Sequence, residues 1–111
     1  MKYEYQNSKI EKLCTNFPHA KKELGEAGAK KLKRRTDDLD AAVVITDLIA
    51  GNPHPLKGNR HGQFALEVTG SERLILIPAM DPIPKKIDNG IDWAAVNKVM
   101  ICGIEDYHDN N

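Results

Sequence analysis

Residues 63–77 read Gln63-Phe64-Ala65-Leu66-Glu67-Val68-Thr69-Gly70-Ser71-Glu72-Arg73-Leu74-Ile75-Leu76-Ile77. Their period decides the fold class. Phe64, Leu66 and Val68 recur at every second position, which puts them on one face of a strand. Thr69 to Glu72 has hairpin-turn composition, and Arg73 to Ile77 returns as a second strand. The unbroken apolar run of that return predicts cover on both faces. Beyond it, Pro82, Pro84 and several charges between Pro78 and Gly90 predict an irregular excursion, longer than most loops. Asp92 is placed to cap a short turn through Trp93 and Val96. Val99 to Ile104 predicts a last strand that delivers Asp106-Tyr107-His108 at its exit.

On the N-terminal side the period lengthens. Tyr3 and Tyr5 alternate with Lys2 and Glu4 as a first strand, and Ser8 is placed to cap a short helix carrying Ile10, Leu13 and Cys14. Thr15-Asn16-Phe17-Pro18 breaks it. A longer helical region follows, with Gly25 and Gly28 as candidate interruptions. Gly28, Leu32, Thr36, Leu39 and Val43 recur close to helical period, and Ala41 to Ile49 either extends that helix or forms another turn. Gly51-Asn52-Pro53 stops it. A strand, helices and then three strands predict an α+β fold, its helices covering one face of a mostly antiparallel sheet.

At 111 residues the chain is expected to be one domain over 1–111. A 41% hydrophobic and 29% charged composition is that of an ordinary globular chain. No apolar run approaches the ~20 residues of a membrane span, and Met1 to Asn7 lacks a secretory signal's apolar stretch. The expected location is the cytoplasm, away from membranes. There Cys14 and Cys102, far apart and without CxxC spacing, are expected to be free buried thiols.

Sixteen basic and sixteen acidic side chains cancel, so no global charge advertises nucleic-acid binding. Their distribution is uneven. Lys30, Lys31, Lys33, Arg34 and Arg35 form a dense block, either a solvated helix face or a dock for RNA backbone. His54, Lys57, Arg60 and His61 place four potential cations within eight residues, with no acid among them. Their glycine-punctuated loop has little to bury, so these charges face solvent or a ligand. Lysine and arginine suit phosphate, and histidine exchanges protons near neutrality. Arg73 opens an otherwise apolar strand, either as a strand-end charge or aimed into a polar pocket. Asp106-Tyr107-His108 offers an orienting carboxylate, a base-stacking ring and a second imidazole.

Four segments, in order, resemble the HigB-like killer proteins of the RelE/ParE toxin superfamily. They are Ile10-Glu11-Lys12-Leu13-Cys14-Thr15, Leu56-Lys57-Gly58-Asn59-Arg60-His61-Gly62-Gln63-Phe64, Arg73-Leu74-Ile75 and Ile104-Glu105-Asp106-Tyr107-His108. The resemblance implies the toxin of a type II toxin–antitoxin system, an endoribonuclease that cuts mRNA in the ribosomal A site. The cut is made without metal or other cofactor, by attack of a 2′-hydroxyl on its neighbouring phosphate. It implies His54, Lys57, Arg73, Asp106, Tyr107 and His108 as catalytic residues, and a HigA-like helix-turn-helix antitoxin as partner. Direct DNA binding by the toxin alone is not implied. Arg60 joins the RNA-binding set on chemistry and proximity. Two other readings remain open: a ParE-like inhibitor of DNA gyrase, and a module that binds its antitoxin without cutting.

Overall fold

The computed structural model describes residues 1–106. Strand β1 (Lys2–Tyr5) leads into helices α1 (Ser8–Thr15) and α2 (Phe17–Ala41). Four strands complete the sheet: β2 (His54–Pro55), β3 (Phe64–Glu67), β4 (Glu72–Pro78) and β5 (Lys98–Asp106). Their order is β1-β5-β4-β3-β2, with β1 parallel to β5 and the other neighbours antiparallel. The class is α+β, with the helices on one face.

The helical region is punctuated by asparagines. Asn7, one residue before the expected Ser8, caps α1 by accepting from the Ile10 amide at 3.0 Å. Asn16 then ends α1 and caps α2, accepting from the His19 amide at 3.0 Å. Of the two glycines open as interruptions, Gly25 is the kink (φ 78°, ψ 168°), whereas Gly28 lies buried within the continuing helix. That backbone region belongs almost solely to glycine, and nothing lies within 4 Å of where a Cβ would stand. Backbone alone therefore decides the outcome: Gly25→Ala is expected to cost about 1–3 kcal/mol. It would appear as a lower urea midpoint at unchanged slope.

Leu32, Thr36 and Leu39 bury themselves at the expected spacing, but Val43 does not continue the stripe. The helix stops at Ala41, and Val43 stands 72% exposed. A 3₁₀ turn at Ile45–Asp47 comes next, closing Ile45 into the core. The core lies between the helices and one sheet face. Leu32, Leu39 and Ile45 meet Leu66, Leu74, Leu76, Val99 and Ile101, all fully buried. Met1 ties β1 to the end of α2, its amino group donating to the carbonyls of Leu39 (2.9 Å) and Ala42.

The hairpin forms as its composition predicts, with Thr69 Oγ1 accepting from the amides of Ser71 and Glu72. The run through β4 is covered on both sides: Leu74 and Leu76 face the helices, and Ile75 is buried on the opposite face. The 78–91 excursion is braced by a Lys85–Ile91 bridge, and the Trp93–Ala95 turn after it packs Trp93 on Phe64 at 5.2 Å. Asp92 serves that turn through its backbone carbonyl, which accepts from the Ala95 amide at 3.0 Å, and not through its side chain. Cys14 and Cys102 are free but only half-buried; desolvation pushes the Cys14 thiol up to about 11. No helix among the described residues is long and apolar enough to cross a membrane.

Candidate active site

The sheet face turned away from the helices collects the polar side chains. Strand register builds it in rows. Glu67, Arg73 and Glu105 lie side by side across β3, β4 and β5. His54, Ala65, Ile75 and Gly103 form the next row on this face. The rows are two residues apart along β4, a rise of about 7 Å.

Glu105 reaches this face through a bulge. Leu76 pairs with Ile101 and Ile75 with Gly103, so Cys102 is an extra residue in β5. The bulge inverts the phase of the rest of the strand. Before it, Val99 and Ile101 face the helices; after it, Ile104 packs on the core and Glu105 joins Arg73. Gly103, at φ +151°, supplies the backbone freedom the inversion needs.

Glu105 is the hub. Arg60 closes on it as a fork, Nη1 donating to Oε1 and Nη2 donating to Oε2 at 2.9 Å. Arg73, only 8% exposed, donates from Nη2 to the same Oε1 at 3.2 Å. Arg60 is braced from behind, its Nε (3.0 Å) and Nη2 (2.6 Å) both donating to Gln63 Oε1. A groove of about 410 Å³ opens beside this cluster, lined by Gln6, Arg60, Gln63, Ile77, Cys102 and Glu105 among others.

The Arg60 hydrogen bond, with help from Arg73 and against partial burial, holds the Glu105 carboxyl below its ordinary value. The same contact raises the Arg60 guanidinium. A carboxyl lowered by folding stabilises the fold above the ordinary carboxylate range and loses that contribution as pH falls through its depressed value. Wild type is therefore expected to exceed Glu105→Gln in urea midpoint at pH 7, with the gap closing in strong acid. An equal gap at both pH values would show that the charge is not what matters.

His54 is half-buried in β2, and its Nδ1 lies 2.7 Å from the carbonyl oxygen of Asn52. A carbonyl only accepts, so Nδ1 carries a proton, which in the neutral tautomer puts the lone pair on Nε2. Asn52 in turn donates from Nδ2 to Glu67 Oε2 at 3.0 Å, linking the histidine to the Glu67–Arg73–Glu105 row. Lys57 is exposed at the head of the Gly58–Arg60 turn, in the same loop.

Asp106 and the basic block are placed elsewhere. Asp106 pairs with Glu72, in the phase of Leu74 and Ile104, which is the helix side and not the Arg73 side. Tyr107 and His108 lie outside the described residues. The basic block sits on α2, across the sheet from Arg73. There Lys30 pairs with Glu26 at 3.0 Å and Lys33 with Asp37 at 2.6 Å. Arg35 turns inward to Asp38 (2.7 Å) and the Glu67 carbonyl (2.9 Å). Lys31 and Arg34 are exposed on the same helix. Glu105, Gln63, Asn52 and Glu67 were not predicted; for Glu105 the signal was Gly103 inside an otherwise apolar strand.

No family model and no curated protein matches the chain. Solved structures do. A YoeB/ParE toxin from Agrobacterium tumefaciens superposes with a TM-score of 0.57 at 12% identity, over 97% of this chain and 100% of that one. The YoeB–YefM complex from Staphylococcus aureus gives 0.55 at 15% identity, over 97% of each chain. The YoeB dimer from the same organism gives 0.52 at 15% identity, again over 97% of each chain. The fold is that of the RelE/ParE-like toxins.

Proposed function

We propose, from this shared fold and the polar sheet face, that the chain is the toxin of a type II toxin–antitoxin system. Its activity is endonucleolytic cleavage of mRNA on the ribosome. One observation carries the reading: Arg60 of the mid-chain loop and Arg73 of β4 meet on Glu105, one residue before the end of β5. The loop that follows His54 and the Glu105 position of β5 thus share one face. That proximity is what joint attack on a single phosphate demands.

Transesterification in line needs a base for the 2′-hydroxyl, an acid for the leaving 5′-oxygen, and positive charge around the phosphorane. His54 suits the base, because its Nδ1–H···O=C bond to Asn52 selects the tautomer whose lone pair is on Nε2. His108, assigned by motif, is the proposed acid. Arg73 and Lys57 hold the phosphate and Tyr107 positions the nucleotide. Asp106 keeps its motif assignment, though its strand phase turns it to the helix side. The 2′-oxygen–phosphorus bond forms as the phosphorus–5′-oxygen bond breaks, one proton passing to His54 and one leaving His108. The chemistry needs no metal.

The proposed partners are the 30S A site with its mRNA and a HigA-like helix-turn-helix antitoxin; antitoxin pairing is supported by two Staphylococcus neighbours described as YoeB–YefM complexes. Because one neighbour is described as a YoeB/ParE toxin, gyrase inhibition is the second reading. Mapping mRNA 5′ ends after brief induction separates them. New ends inside translated frames, absent when translation is blocked, are the expected result. Intact mRNA with failing supercoiling would overturn it in favour of gyrase.

A further inference from the structure

We propose that Glu105 is a tethered anion. In the free protein it occupies an RNA-phosphate position between Arg60 and Arg73, and a phosphodiester of the incoming RNA displaces it. This rests on the reading that the polar sheet face receives RNA.

A guanidinium fork fits carboxylate and phosphate alike, so what binds Glu105 here also binds a phosphodiester. The fork is aimed independently of its present occupant. Gln63 Oε1 holds Arg60 from the rear through Nε and Nη2, leaving Nη1 and Nη2 directed into the site. Arg73 Nη2 converges on the same carboxylate oxygen from β4. Two guanidinium groups thus converge on the Glu105 carboxylate. That carboxylate is also within reach of an incoming group, its side chain being 35% exposed beside the 410 Å³ groove. Gln6, Cys102 and Ile77 wall the groove with neutral surface on which a sugar or base can rest. The carboxylate stands on rotatable bonds at the end of β5, so it swings aside without breaking the β4–β5 ladder.

The consequence is a threshold. RNA meeting the free protein must compete with an anion already in place, and its affinity is lowered by that competition. RNA held on the ribosome is presented at high effective concentration and wins.

The test uses a ten-nucleotide single-stranded RNA carrying 2′-O-methyl groups, which cannot be cut, with binding followed by fluorescence anisotropy at several salt concentrations. Glu105→Gln is expected to bind about tenfold more tightly, with a salt slope steeper by about 0.7, the value for one more phosphate neutralised on a single strand. The gain should vanish when Arg60→Ala is added. A folded Glu105→Gln that binds no better than wild type overturns the proposal. If that variant does not fold, Glu105→Asp keeps the charge but shortens its reach, and a smaller gain is expected; no gain overturns the proposal equally. Ribosome-dependent cleavage by wild type is measured alongside. Cleavage with unchanged variant affinity sinks the tethered anion alone. Tighter variant binding without cleavage sinks the nuclease reading alone.

Discussion

Arg73→Ala is expected to slow single-turnover mRNA cleavage on the ribosome by about 10²–10³-fold, equivalent to about 2.7–4 kcal/mol of transition-state stabilisation. Arg73 is 8% exposed and projects from the second residue of β4, so its charge is fixed in place before the phosphate arrives. Such preorganised charge, shielded from water, acts far more strongly than a solvated lysine at the protein surface. Arg73→Lys should recover only part of the rate, since a point charge cannot grip two phosphate oxygens as a fork does. The fold should survive either change, because Arg60 still holds Glu105. A cooperative urea transition would confirm that. Unchanged cleavage by a folded Arg73→Ala would remove the phosphate-binding role from this residue.

Leu74→Ala is expected to be the costliest single truncation, at about 3 kcal/mol within the 2–5 kcal/mol range for buried leucines. Leu74 is 0% exposed in the central strand, between Leu66 on β3 and Ile104 on β5. β4 and β5 hydrogen-bond neighbours on both sides, so their backbones resist collapse into the cavity. Against the 5–15 kcal/mol typical of whole proteins, that is a large share. The urea midpoint should fall by on the order of 1 M. A loss below about 1 kcal/mol would mean that the helix–sheet interface is not tightly packed at this point.

The hairpin at 64–78 was legible because alternation and turn composition agree over a local stretch. The helical stripe through Leu32, Thr36 and Leu39 was legible for the same reason. β2 escaped the period count: two residues, one a proline, carry no period, and only pairing with β3 makes them a strand. Glu105 was legible merely as one acid in a C-terminal stretch. Alternation counted onward from Val99 and Ile101 sends position 105 to the helix side, and the bulge at Cys102 reverses the answer. Arg60 was singled out for its chemistry, but its partner lies 45 residues away, and no local pattern encodes that distance. The basic block stood out most by charge density. It proves to lie on the sheet's other side, three of its five charges matched to acids on the same helix. Charge density along a chain says nothing about which face a helix presents.

The parallel pairing of β1 with β5 has a consequence for synthesis. Lys2 to Tyr5 leave the ribosome before the other described strands, yet their sheet neighbours among the described residues, Lys98 to Ile101, emerge after all of them. Until then the opening strand has nothing to zip onto, and Arg60 and Arg73 have no carboxylate between them. A prematurely terminated product thus lacks both the seam that closes the sheet and the hub of the cationic cluster. The sheet is completed in one late step.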